Sequence, residues 1–196
     1  MHRDKKTKGE ITRERLLSMA ANEFATHGFH ATKISNIVKK SGVTQPVFYS
    51  YFKSKEEIYD CLMSEFDNQL EELVVSMLIE ASLPKDNVVD NISHSLYQFL
   101  TFFYAHYDLT IISLFHPPHD KVNRAKLKKW IARNMVIEQK RGFYSRIIPV
   151  ETMASCYLGV LIQTFTENSI TEDLAAVSRE RALFLCHGLV LRESLS

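Results

Sequence analysis

Apolar positions along this chain recur at helical rather than alternating spacing. Leu17, Ala20, Ala21 and Phe24 fall at i, i+3, i+4 and i+7, one face of a helix, and Gly28 closes that helix as a left-handed cap would. A second, short helix is predicted from about Ile34 to Ser41 with Ile37 and Val38 inward, and Gly42 breaks it. Thr44 can cap a third helix that tolerates Pro46 in its first turn and ends near Phe52. Ser54-Lys55-Glu56-Glu57 has the form of a capping box. It opens a long fourth helix with Ile58, Leu62, Phe66, Leu70 and Leu73 along one stripe, ended by Pro84.

Further helices are predicted over about 87–106, 109–115 and 120–140, and then over Val150–Asn168 and Glu172–Leu191. No convincing strand and no internal repeat interrupts them. The expected fold class is all-α with about nine helices: an N-terminal three-helix head over residues 1–53 and a larger C-terminal helical domain over 54–196. Hydrophobic residues make up 45% of the chain, enough to fill a core in both parts.

Charge divides the chain at nearly the same place. Residues 1–55 hold eleven Lys and Arg against four Asp and Glu, a balance of +7, whereas the remainder carries −6. A basic head on a mildly acidic body is the asymmetry of a nucleic-acid-binding module joined to something else. The helix, Gly42 turn and short helix within that head have helix-turn-helix spacing.

The aromatic cluster Phe48-Tyr49-Ser50-Tyr51-Phe52 fits this reading. Val47, Phe48 and Phe52 can pack inward, leaving Thr44, Gln45, Tyr49 and Tyr51 toward the open side. Gln45 can pair with adenine edges, and a Tyr hydroxyl can reach phosphate. Lys55, in the first turn of the next helix, can clamp a phosphate together with free backbone N–H groups.

These residues carry a specific resemblance. The segment from Arg15-Leu16-Leu17 through Gly28-Phe29, Ala31-Thr32, Ser41-Gly42-Val43 and Tyr49-Ser50-Tyr51-Phe52-Lys53-Ser54-Lys55-Glu56-Glu57 resembles the DNA-binding domain of the TetR family of bacterial transcription regulators. It runs in register over about residues 11–59. The resemblance implies a homodimer whose two heads bind a palindromic operator of double-stranded DNA, and an effector in the larger domain that alters head separation. It implies base contacts from Thr44, Gln45, Val47 and Tyr49, and phosphate contacts from Thr32, Lys33, Tyr49, Tyr51 and Lys55.

The second half offers an aromatic helix as the lining of an effector site: Phe99, Phe102, Phe103, Tyr104 and Tyr107. Phe115, Trp130, Met135, Tyr157, Leu161 and Phe165 can face it, with His106, Arg133, Asn134 and Gln163 as polar points. The same spacing also describes an ordinary core. The last two helices are the expected homodimer surface. Met153, Tyr157, Val160, Leu161 and Thr164 lie on one; Val177, Leu183, Phe184, Cys186, His187, Val190 and Leu191 lie on the other.

Other chemistries find little support. Cys61, Cys156 and Cys186 are far apart and form no C-x-x-C pair, which argues against a disulfide framework or a zinc site. His116-Pro117-Pro118-His119 lacks the one-face geometry of a helical histidine pair, so no metal is expected. No nucleophile elbow, phosphate loop or metalloenzyme signature occurs, so neither an enzyme nor a cofactor is indicated. No run of about 18 apolar residues predicts a membrane span, and a cytoplasmic location is expected. The expected function is a repressor released from its operator by a small lipophilic or aromatic effector. The alternative is a DNA-bound regulator controlled by a protein partner with no such effector.

Overall fold

The computed structural model describes residues 6–84, 87–167 and 173–188, and all regular structure among them is helical. The elements are α1 (Lys8–Ala31), α2 (Ile34–Ser41), α3 (Gln45–Tyr51), α4 (Lys55–Ser76), α5 (Val88–Ala105), α6 (Tyr107–Leu114), α7 (Asp120–Lys140), α8 (Val150–Glu167) and α9 (Leu174–His187). They form two compact units, Met1–Gln69 with Tyr107–Asn123 and Leu70–His106 with Arg124–Ser196. The expected boundary after residue 53 follows the helix-turn-helix motif alone. By packing, the first unit continues through most of α4 and takes in α6.

In the first unit, α1 opens on a capping box that the apolar pattern does not reveal. The Thr7 hydroxyl accepts the Glu10 N–H at 3.2 Å, and the Glu10 carboxylate accepts the Thr7 N–H at 2.7 Å. Such a cap stabilises a helix start by about 1 kcal/mol. Leu16, Ala20, Ala21 and Phe24 form the buried stripe, and Leu17 sits at its edge. Gly28 breaks the helix with φ 77° and ψ 162°, a backbone region open essentially to glycine alone.

Gly42 ends α2 in the left-handed conformation. Its N–H donates to Lys39 O and that of Val43 to Val38 O, the paired bonds of a Schellman ending. Phe48, Phe52, Ile58 and Leu62 close the core from the other side. Ile112 of α6 joins them, with Leu109 packed alongside.

In the second unit, α5 packs along α9 and against α8. Fully buried Ser178 and Ala182 keep the inner face of α9 small. The helix expected to reach Pro84 stops at Ser76. Tertiary bonds explain the early stop: Ile79 turns inward, donating its N–H to Glu138 at 3.0 Å and accepting from Arg141 Nη1 at 2.5 Å. The expected helix ends at Asn168, Glu172 and Leu191 lie outside the described residues, as does Val190. No helix among the described residues is long and apolar enough to cross a membrane.

Candidate nucleic-acid interface and ligand cavity

Seven residues make up α3, and only Phe48 among them is buried. The Phe48 ring lies 5.9 Å from that of Phe52, which the Arg13 guanidinium covers at 5.3 Å. With this anchor inside, Thr44, Gln45, Val47 and Tyr49 face solvent. Thr44 holds the N-cap position but makes no side-chain cap bond. Tyr49 is 52% exposed and stands edge-on to Phe48 at 5.4 Å. Val47, which its spacing allowed on the packing side, is on the open face instead. One short helix thus presents an amide, a hydroxyl, a phenol and a methyl pair together, the mixture that reads base edges in a major groove.

The flanking groups expected on phosphates divide into two sets. Lys33, before α2, is exposed. Tyr51 is half-buried, its hydroxyl beside Gly9 at the start of α1. Thr32 and Lys55 are occupied within the protein. Thr32 is buried, and its hydroxyl donates to Gly28 O at 2.8 Å and Glu23 O at 3.1 Å. Lys55 Nζ donates to Phe29 O at 2.7 Å and Thr32 O at 3.0 Å, and lies 4.5 Å from the Phe29 ring centroid. Lys55 thereby pairs Phe29 O, a carbonyl in the last turn of α1, and Gly28 O accepts the Thr32 backbone N–H as well as its hydroxyl.

Lys40 is also engaged. Its ammonium meets buried Glu23 at 2.6 Å, whereas neighbouring Lys39 is exposed. The hydrogen bond from Lys40 holds the Glu23 carboxyl below its ordinary range despite burial.

The second unit contains a cavity of about 380 Å³. Val88 and Ile92 of α5, Met135 of α7, Met153 and Cys156 of α8, and Leu185 of α9 are among its walls, with Phe143, Tyr144 and Ile148 from the segment between α7 and α8. Exposed Ser145, Ile148, Thr152 and Cys156 form its mouth; buried Met135 and Tyr157 lie at its floor.

Behind the floor is a second, small cavity of about 40 Å³, sharing Ile92, Met135, Tyr144 and Tyr157 with the first. Its polar groups each have a partner within the protein. Ser95 Oγ and the Tyr157 hydroxyl are 2.5 Å apart. Asn134 Nδ2 donates to Val74 O at 2.6 Å. Glu138 accepts the Ile79 N–H at 3.0 Å and shares the cavity wall with Tyr144. Burial raises the Glu138 carboxyl above its ordinary range, and it pushes the Tyr144 and Tyr157 phenols far up, so both stay protonated.

Of the aromatic lining expected from sequence, Tyr157 borders both cavities and Phe99 only the small one. Phe99, Phe103 and Phe165 are core: their rings are in contact at 6.0 Å (Phe99–Phe103) and 5.6 Å (Phe103–Phe165). Phe102 packs on His106 at 4.5 Å, and Trp130 lies under the Lys126 ammonium at 5.2 Å. Tyr107 and Phe115 belong to the first unit. Among the expected polar points, Asn134 borders the small cavity, whereas Arg133 pairs with Glu71 and Gln163 with Glu167.

Glu138, Tyr144 and the two cysteines on the cavity wall were not anticipated. A signal for the first existed: an acid ending the apolar run Met135-Val136-Ile137 on the buried side of a helix. Tyr144 sits in a connection without periodicity, and nothing in the pattern marks it. Among the described residues, no three His, Cys, Asp or Glu side chains converge as metal ligands would.

Comparison with known proteins agrees with this geometry. Residues 16–61 match the family model described as bacterial regulatory proteins, tetR family. Over 188 residues the chain is 36% identical to an uncharacterized HTH-type transcriptional regulator of Bacillus subtilis (strain 168), YdgC, spanning 94% of this chain and 96% of that one. The fold is that of the TetR family regulator PfmR from Thermus thermophilus, with TM-score 0.69 at 18% identity over 90% of this chain and 99% of PfmR. It is also that of FadR from Bacillus subtilis in complex with stearoyl-CoA, with TM-score 0.66 at 17% identity over 90% and 99% of the two chains. The chain belongs to the TetR family and is a DNA-binding regulator of transcription.

Proposed function

We propose that this regulator is a repressor that leaves a palindromic operator when a small lipophilic molecule enters the cavity of its second unit. The observation that carries this reading is the cavity itself, about 380 Å³ and walled mostly by apolar side chains. That volume lies toward the lower end of the range for small-molecule sites. A solid core would have favoured control by a protein partner instead. FadR of Bacillus subtilis, which shares the fold, holds stearoyl-CoA.

In this reading Thr44, Gln45, Val47 and Tyr49 touch bases, while Lys33 and Tyr51 touch phosphate. Two copies are needed, because one seven-residue helix reads too few base pairs for useful specificity. Tyr157, Leu161 and Thr164 of α8 are buried within their own unit. The exposed Leu183 and Phe184 of α9 are therefore the better supported dimer contacts. The effector acts by favouring a conformer whose recognition helices no longer match major grooves about 34–36 Å apart.

The test is selection of binding sites from random DNA by the full chain, followed by titration of the selected duplex with lipid extracts of the host cell. An inverted repeat with two half-sites, released by an apolar fraction, is the expected result. A single half-site, or a complex that no fraction weakens, would overturn the reading.

A further inference from the structure

We infer that Gln139 of α7 is the latch of the larger cavity: it pins the segment that borders the mouth, and so sets how fast an effector enters and leaves. This rests on the cavity being the effector site. Gln139 stands outside the walls of both cavities. It is a positioning residue that acts through the segment between α7 and α8. Phe143, Tyr144, Ser145 and Ile148 of that segment line the cavity, and exposed Ser145 and Ile148 edge its mouth.

The segment leaves α7 at a defined point. Gly142 is left-handed at φ 82°; its N–H donates to Gln139 O at 3.1 Å, and that of Phe143 to Glu138 O at 3.0 Å. Beyond this ending the chain runs at the surface, where Ile147 is 92% exposed. The half-buried Gln139 side chain reaches it there. Gln139 Nε2 donates to Ser145 O at 2.8 Å and to Ile148 O at 3.2 Å. Both N–H groups of one amide are thus given to one segment. Between those two carbonyls the Ser145 hydroxyl accepts the Ile147 N–H at 3.2 Å, so residues 145–148 form a local turn. A fork that grips both ends of a turn holds or releases it as one piece. Because both partners are carbonyl oxygens, only a donor fits between them, and a carboxylate there would be repelled by both. Two such bonds, each of modest net strength at a half-exposed site, hold the segment down and still let it open.

Stopped-flow fluorescence of the full-length protein with N-phenyl-1-naphthylamine, an uncharged probe that brightens in apolar surroundings, tests this. The wild-type protein should bind the probe, and Cys156→Trp, which fills the mouth, should not. Gln139→Glu and Gln139→Ala should each raise the association and dissociation rates together, by about tenfold, with Kd changed by less than about threefold. Rates unchanged in both variants, or faster dissociation with association unchanged, would overturn the latch and leave the cavity standing as the effector site. Absence of binding by the wild-type protein, or binding that survives Cys156→Trp, would overturn both. If one Gln139 variant fails to fold, the other decides.

Discussion

Lys55 Nζ donates to the backbone oxygen of Thr32 at 3.0 Å. Both residues were expected on phosphate, and the structure turns one toward the other. Thr32 joins α1 to the first helix of the helix-turn-helix, and Lys55 begins the helix that follows it. The pair therefore fixes the frame that holds α3.

Lys55→Ala is expected to destabilise the protein by about 1.5–3 kcal/mol, the scale for hydrogen bonds from a charged donor. The salt dependence of DNA binding should keep its slope. Denaturant unfolding measures the first and binding across a salt series the second. A slope lowered by about one would show that Lys55 leaves its carbonyls to neutralise a phosphate.

Gln45 stands at the exposed start of α3. Gln45→Ala should cost about 1–3 kcal/mol at one base-pair position and relax preference there, with the salt slope unchanged. Binding measured against single-base operator variants shows it. A uniform loss across all variants would assign Gln45 to the phosphate backbone instead.

Glu23 is buried and depends on Lys40 for its charge. Its carboxyl is held below its ordinary value of 4.5, so the unfolded chain takes up a proton first as pH falls. The stability it contributes is present above about pH 4.5 and disappears as pH drops through the lower, folded value. Glu23→Gln should flatten that acid limb and cost about 1–2 kcal/mol at neutral pH, discounted because Lys40 is partly solvated. An unchanged acid limb in chemical unfolding at several pH values would remove Glu23 from this account.

Glu138 has the opposite sign. Burial raises its carboxyl above 4.5, so the folded protein keeps the proton longer than the unfolded chain. Its contribution is fully present below about pH 4.5 and is lost as pH rises through the folded value. Glu138→Gln, which can still accept the Ile79 N–H, should raise stability at neutral pH relative to wild type and equal it near pH 4. A variant less stable than wild type at neutral pH would mean that the ionised carboxylate is favoured by its neighbours after all.

Much of this was legible in the sequence where local rules decide the outcome. Gly28 and Gly42 punctuate the chain as glycine must, and Phe48 and Phe52 bury because a short helix needs large anchors. What escaped was set by contacts between distant residues. Phe103 and Phe165 have one spacing whether they line a hollow or fill it, and only the packing of α5 on α8 and α9 decides that they fill it, while Phe99 packs on Phe103 and also borders the small cavity. The stop of α4 at Ser76 depends on Glu138 and Arg141, some sixty residues further on. Likewise the bonds from Lys55 to the carbonyls of Phe29 and Thr32 join residues more than twenty positions apart, which no local pattern marks.

The place of α6 in the first unit has a consequence for how that unit is made. Leu109 and Ile112 close a core otherwise assembled from the first 63 residues. On a ribosome adding about 5–20 residues per second, the chain between Gln69 and Tyr107 takes roughly 2–8 s to emerge. For that interval the nascent reading head has an open seam. A gene fragment cut after the helix-turn-helix would carry the same seam permanently, and would need a redesigned, more polar face in place of α6.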